Sequence, residues 1–206
     1  MLFLDDDMIF AHGGRRVCYI HPEDPNKCVK VLGAEGDPRR RRSLAPWYKR
    51  LRPLRMFDDN LREYRAFKVL ESHGEEVWSF FPRCYGLDVT SLGLGITTDL
   101  VRNQDGTVPL TLREYLVTHG FSESVGSALS VFLDFIKRER VVTRDLLDHN
   151  LIVRESASGL QIFMIDGFGS SEVIPFSSWF GFLGDRKINR KIFRFKKRYG
   201  LLLDPE

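Results

Sequence analysis

"TRDLLDHNLIV", residues 143–153, runs from a polar loop straight into an apolar segment of strand-forming residues. It gathers Arg144, Asp145, Asp148, His149 and Asn150 just where a buried strand begins. A solvated turn is one reading; a loop that holds a metal and a phosphate is the other. The continuation, "NLIVRESASGLQIFMIDGFG", predicts two apolar strands around a Ser/Gly turn, closing on Asp166 and Gly167. The two open ends of a hairpin are neighbours, so Asn150 and Asp166 are expected close together. Mg²⁺ takes oxygen ligands and keeps several waters, so one carboxylate and one amide oxygen plus phosphates form a sufficient set. Asp145, a few residues earlier, is placed to accept a proton from an attacking hydroxyl.

Working outward, "ESVGSALSVFLDFIKRER" predicts a helix with Val125, Leu129, Phe132, Leu133 and Ile136 on its buried face. "TLREYLVTHG" predicts a shorter one, capped at Thr111 and stopped at Gly120. "VWSFFPRCYGLDVTS" and "GLGITTDLV" read as strands. "DDNLREYRAFKVLESHG" reads as a helix with Asp58 or Asp59 as N-cap and Gly74 as its stop. Glu63 shares a face there with Phe67 and Leu70, so an acid points with the apolar stripe. "RRVCYIHPEDPNKCVKVL" predicts two strands around a turn from His21 to Asn26. Residues 186–199 predict an amphipathic basic helix with Ile188, Ile192, Phe195 and Tyr199 on one side. The order implies an α+β fold of two lobes. Residues 1–103 form a β-rich lobe with one helix and a basic insertion at 39–55, and residues 104–206 a mainly helical lobe.

The composition fits a globular chain: 206 residues, 43% hydrophobic, with an uneven net charge of +3. Residues 39–55 carry eight basic side chains and no acid, and so do residues 186–198. Such runs suit an anionic partner or, equally, a solvated surface. No DNA-reading motif accompanies them, which argues against a nucleic acid. Three cysteines, Cys18, Cys28 and Cys84, in a chain without a signal-peptide pattern favour reduced thiols and a cytoplasmic location. Cys18 and Cys28 face each other across the hairpin or are simply half-buried strand residues. No apolar run is long enough to span a bilayer.

The stretch 143–150, T-R-D-L-L-D-H-N, resembles the protein-kinase catalytic loop H-R-D-L-x-x-x-N. Arg, Asp, Leu and Asn match in place, and Thr143 stands where kinases have His. The kinase D-F-G is echoed by Asp166-Gly167-Phe168-Gly169, with the Phe one residue late. "CVKVL" resembles the kinase strand V-A-I-K, which makes Lys30 the phosphate-contacting lysine and Glu63, or Glu71 near the helix end, its partner. The whole chain resembles the PhoP regulatory network protein YrbL family, which is grouped with the kinase-like fold.

The resemblance implies a kinase-like two-lobe fold with a shortened C-terminal lobe, and ATP and Mg²⁺ as cofactors. It implies that Lys30 contacts phosphates, Glu63 orients Lys30, Asp145 is the base, and Asn150 with Asp166 holds the metal. Gly13 and Gly14 would belong to the nucleotide-covering loop, although "AHGGRRVCY" lacks the G-x-G-x-x-G spacing. No A-P-E follows Asp166, and the short remainder implies a small hydroxylated acceptor, such as a sugar or a lipopolysaccharide-core sugar, instead of a peptide. Two functions stay open at this point. One is phosphoryl transfer to such an acceptor; the other is a silent kinase-like module that binds a nucleotide or a protein as a regulator.

Overall fold

The computed structural model describes residues 1–144, 146–169 and 181–199, with 181–187 followed as backbone only. The chain divides into two compact units, Met1–Val69 with Pro82–Leu100, and Leu70–Phe81 with Val101–Glu206.

The first unit is built on a five-stranded antiparallel sheet of β1 (Ile9–His12), β2 (Arg16–His21), β3 (Asp24–Leu32), β4 (Cys84–Thr90) and β5 (Gly93–Asp99). The spatial order is β1-β2-β3-β5-β4. The turn between β2 and β3 is narrower than the sequence implies, because β3 already begins at Asp24. Cys18 lies opposite Lys30 and Cys28 opposite Ile20, so the two cysteines share a face without pairing directly. Among the described residues, no cysteine is in a disulfide. Val29, Val31, Tyr19 and Leu4 form one apolar cluster of the unit.

Pro46 and Pro53 break the basic segment into short pieces: α1 (Pro38–Leu44), α2 (Trp47–Arg50) and a 3-10 turn at Leu54–Met56. Helix α3 (Asp59–Leu70) follows, with the Asp58 carboxylate accepting from the Leu61 N–H at 3.0 Å as its cap.

In the second unit, helix α4 (Leu112–His119) opens on a full capping box between Thr111 and Glu114. Helix α5 (Glu123–Arg138) buries the expected face and Phe135 besides. Strands β6 (Leu151–Ser156) and β7 (Gly159–Met164) form a hairpin, and helix α6 (Gly181–Arg198) carries the last basic run.

The strand expected from "VWSFFPRCYGLDVTS" starts only at Cys84, and Glu75–Ser79 is a 3-10 helix instead. The cause is tertiary. Phe80 stacks on Phe135 at 4.3 Å, and Phe81 sits against Phe132 and Phe168 in the core of the second unit. Pro82 then ends the segment. Among the described residues, no helix is long and apolar enough to cross a membrane.

Candidate functional site

The β2–β3 register places Arg16, Cys18, Lys30 and Leu32 on one face of the sheet, since opposite residues in an antiparallel pair project the same way. Into this face reaches Glu63 from α3. Its carboxylate meets the Lys30 Nζ at 2.8 Å and also accepts from the Arg16 guanidinium. All three side chains are at least nine-tenths buried. Charges so placed interact in a low dielectric, and removing one leaves another uncompensated. The lysine thus has a fixed direction. Glu71, the other acid considered for it, is exposed.

Helix α3 is held in place by Asn60, whose side-chain amide donates to the Lys30 and Leu94 carbonyls at 3.0 Å each. It is tied again by Asp59, which pairs with Arg41 of α1 at 2.9 Å and with Arg62 at 3.3 Å. Neither Arg16 nor Asn60 stands out in the sequence. The signal for Arg16 is positional: strand alternation puts it one step along from the residue opposite Lys30. The signal for Asn60, an amide at the start of a helix, is equally a capping signal.

Burial pushes the Cys28 and Cys84 thiols up to about 11. Neither of these two is a thiolate near neutral pH.

Gly13 and Gly14 form the turn between β1 and β2. The Gly13 N–H donates to the Arg16 carbonyl at 2.8 Å, so this amide closes the turn.

In the second unit the β6–β7 register sets Leu151 opposite Met164, and the Ile165 N–H donates to the Asn150 carbonyl at 2.9 Å. The hairpin therefore brings Asn150 beside the residue that precedes Asp166. Asn150 is buried, on a 3-10 turn from Asp148 to Asn150, while Asp166 accepts from the Gly167 N–H at 2.6 Å.

The loop before the hairpin is zipped against this end. Arg144 N–H donates to the Gly167 carbonyl, Gly169 N–H to the Val142 carbonyl, and the Arg144 guanidinium lies 3.7 Å from the Asp166 carboxylate. Gly167 and Gly169 have φ of 80° and 83°, a region that disfavours any Cβ. That backbone need puts glycine directly after Asp166. Phe168, one place later, is buried edge-on against Phe81 at 5.4 Å. Asp145 lies outside the described residues.

Two further groups brace the loop. The Lys191 ammonium, from α6, donates to the Thr143 carbonyl and, at 2.6 Å, to the Arg144 carbonyl. The Arg113 guanidinium of α4 grips Asp148 with two bonds, at 3.1 and 2.9 Å. Partial burial alone would raise the Asp148 pKa, but the Arg113 bonds outweigh it and hold the carboxyl well below the usual carboxylate range. Burial and the nearby Asp148 charge push the Tyr199 phenol up to about 12. Among the described residues its oxygen has no hydrogen-bond partner. Neither Lys191 nor Arg113 is recognisable from sequence, because each acts from a helix far along the chain.

A five-stranded antiparallel sheet with a buried Lys–Glu pair to one helix, and a second unit of helices with a hairpin that opens between Asn and Asp, define an α+β protein of two compact units. More narrowly, the chain belongs to the PhoP regulatory network protein YrbL family, whose model matches residues 2–200. It is 28% identical over 201 residues to the proteins described as uncharacterized protein YrbL in Escherichia coli K12 and Shigella flexneri. The alignment covers 95% of this chain and 86% of each relative.

Two solved structures are also similar. The PknI kinase domain of Mycobacterium tuberculosis, in a mutant form, has a TM-score of 0.47 at 14% identity over 79% of this chain. Rad53 1–466, solved with AMP-PNP, has a TM-score of 0.47 at 13% identity over 80% of this chain. The chain spans 58% of the first structure's length and 37% of the second's.

Proposed function

We propose that this protein transfers a phosphoryl group from Mg·ATP to the hydroxyl of a small molecule, a sugar or lipopolysaccharide-core sugar. The observation that carries the reading is the buried Lys30–Glu63 pair at 2.8 Å. A sheet seldom buries a lysine, and Glu63 fixes the direction of this one. In the proposal Lys30 contacts the phosphates and Glu63, shared with Arg16, keeps it in place.

The oxygen donors at the open end of the hairpin, the Asn150 amide and the Asp166 carboxylate, fit Mg²⁺ in type and charge. When bound there, the metal supplies neutralisation of charge on phosphate oxygens. Asp145 accepts the proton of the acceptor hydroxyl, which is a poor nucleophile until that proton has a base to go to. Lys191 and Arg113 hold the surrounding loop through Thr143, Arg144 and Asp148.

One observation favours a second reading, a silent module that binds a nucleotide or a protein as a regulator. The Gly13 N–H is engaged inside its own turn, so it is not offered to a phosphate.

Incubation of the full chain with Mg·ATP and a panel of sugars, followed by phosphate release and product mass, separates the two. Phosphoryl transfer is expected to a sugar or slowly to water, and Asp145→Asn should lower it by about 10²–10⁴-fold with nucleotide binding intact. A parent without turnover, or an Asp145→Asn variant as active as the parent, leaves the module reading.

A further inference from the structure

The basic insertion is exposed in an unusual way. Leu44, Trp47 and Leu51 are 73%, 75% and 78% exposed, and Tyr48 beside them 54%. A run of large apolar side chains held in water on one short segment marks an interaction surface, where scattered single ones would not.

The segment is built to hold them there. Arg42 Nε donates to the Arg50 carbonyl at 2.8 Å, and Arg50 Nε donates to the Ala45 carbonyl at 2.7 Å, stapling the bend between α1 and α2. Arg41 anchors the segment to Asp59, and Arg40 pairs with Glu35 at 2.7 Å. Trp47 opens α2 and Leu51 caps its end, and both side chains are exposed.

Cations surround the apolar cluster. No carboxylate among the described residues pairs with Arg39, Arg42, Lys49, Arg50, Arg52 or Arg55. The segment itself has no acid from residue 39 to residue 55.

We infer that this insertion is a docking surface for an anionic phospholipid bilayer. Arginine and lysine fit lipid phosphates, Trp and Tyr suit the headgroup level, and leucines enter the acyl boundary. The leucines decide between partners. A nucleic acid would use the cations and the rings, but it offers nothing to bury Leu44 and Leu51. The Tyr48 ring is moreover partly covered, edge-on by Trp47 at 6.1 Å and by the Lys49 ammonium at 5.9 Å, which is a poor platform for a base. The surface lies wholly within the first unit, and the inference is independent of whether the protein transfers phosphate.

The test is co-sedimentation of the full chain with vesicles. Equimolar phosphatidylglycerol and phosphatidylcholine should carry it down and phosphatidylcholine alone should not, with added salt weakening the binding. Leu44→Ala/Trp47→Ala/Leu51→Ala and, separately, Arg39→Glu/Lys49→Glu should each weaken it by about tenfold. Both change only exposed side chains, so each should melt as the parent does. A parent that ignores anionic vesicles, or a triple-alanine variant that binds them like the parent, overturns the inference. So does a DNA oligonucleotide that the triple-alanine variant still binds and that vesicles fail to displace.

Discussion

Glu63 takes two cations at once, and that shapes what its replacement should do. Glu63→Gln leaves Lys30 and Arg16 facing a neutral amide in a buried setting, at a cost of about 3–5 kcal/mol. A lowered midpoint in urea unfolding, well below that of Glu71→Gln, is the expected result. Equal midpoints would mean that the pair is solvated. Asp166 behaves differently, because its carboxylate bonds the adjacent Gly167 N–H and sits 3.7 Å from a half-buried arginine. Asp166→Ala should leave the fold intact and remove the Mg²⁺-dependent part of nucleotide stabilisation, read as a thermal shift with and without the metal. An unchanged Mg²⁺ response would exclude Asp166 as a ligand.

At the level of elements, helix α4 and the loop before β6 are joined by the Arg113–Asp148 pair. The Asp148 pKa is depressed in the folded state, so its contribution is present above the unfolded carboxylate value of about 3.9. It is lost as the pH falls through the lower folded value. Asp148→Asn should therefore destabilise by about 1–2 kcal/mol at pH 7, kept modest by the exposure of Arg113, and the gap should close in strong acid. Urea unfolding of both proteins at neutral and acid pH checks the sign. Helix α6 packs through Ile188 and Phe195, which are buried, while Ile192 is only half-buried. Phe195→Ala should cost about 3–5 kcal/mol. A variant that melts like the parent would mean that the helix does not stabilise the protein.

For the whole molecule, nucleotide binding should appear as added stability. A ligand that binds only the native state, at a hundredfold excess over its Kd, contributes about 2.7 kcal/mol. Titration of the full chain with ATP in Mg²⁺ should raise the midpoint, and Lys30→Met should abolish the rise. A flat titration would remove the nucleotide from both functional readings.

The local elements were legible because their signals are local. The α5 stripe, the Thr111 capping box and the glycine stops depend on neighbours within a turn or two, and so does the hairpin from Leu151 to Met164. The Lys30–Glu63 contact was legible only through resemblance. A lysine on a strand and an acid on a helix do not announce their meeting across 33 residues.

The turn at Glu75–Ser79 was misread as strand because its apolar run has no period that separates a strand from a buried turn. The stacking of Phe80 and Phe81 with Phe132, Phe135 and Phe168 decided it. Arg16, Asn60, Arg113 and Lys191 belong to the same class. Their roles come from partners 30 or more residues distant, and polar side chains carry no periodicity that points to a partner. The sequence by itself determined the periodic helices and strands and which loop carries the acids, but not the apolar turn at Glu75–Ser79. Tertiary structure alone decided which charges meet, because an ion pair depends on register and on helix placement, and these follow from burial of the apolar faces.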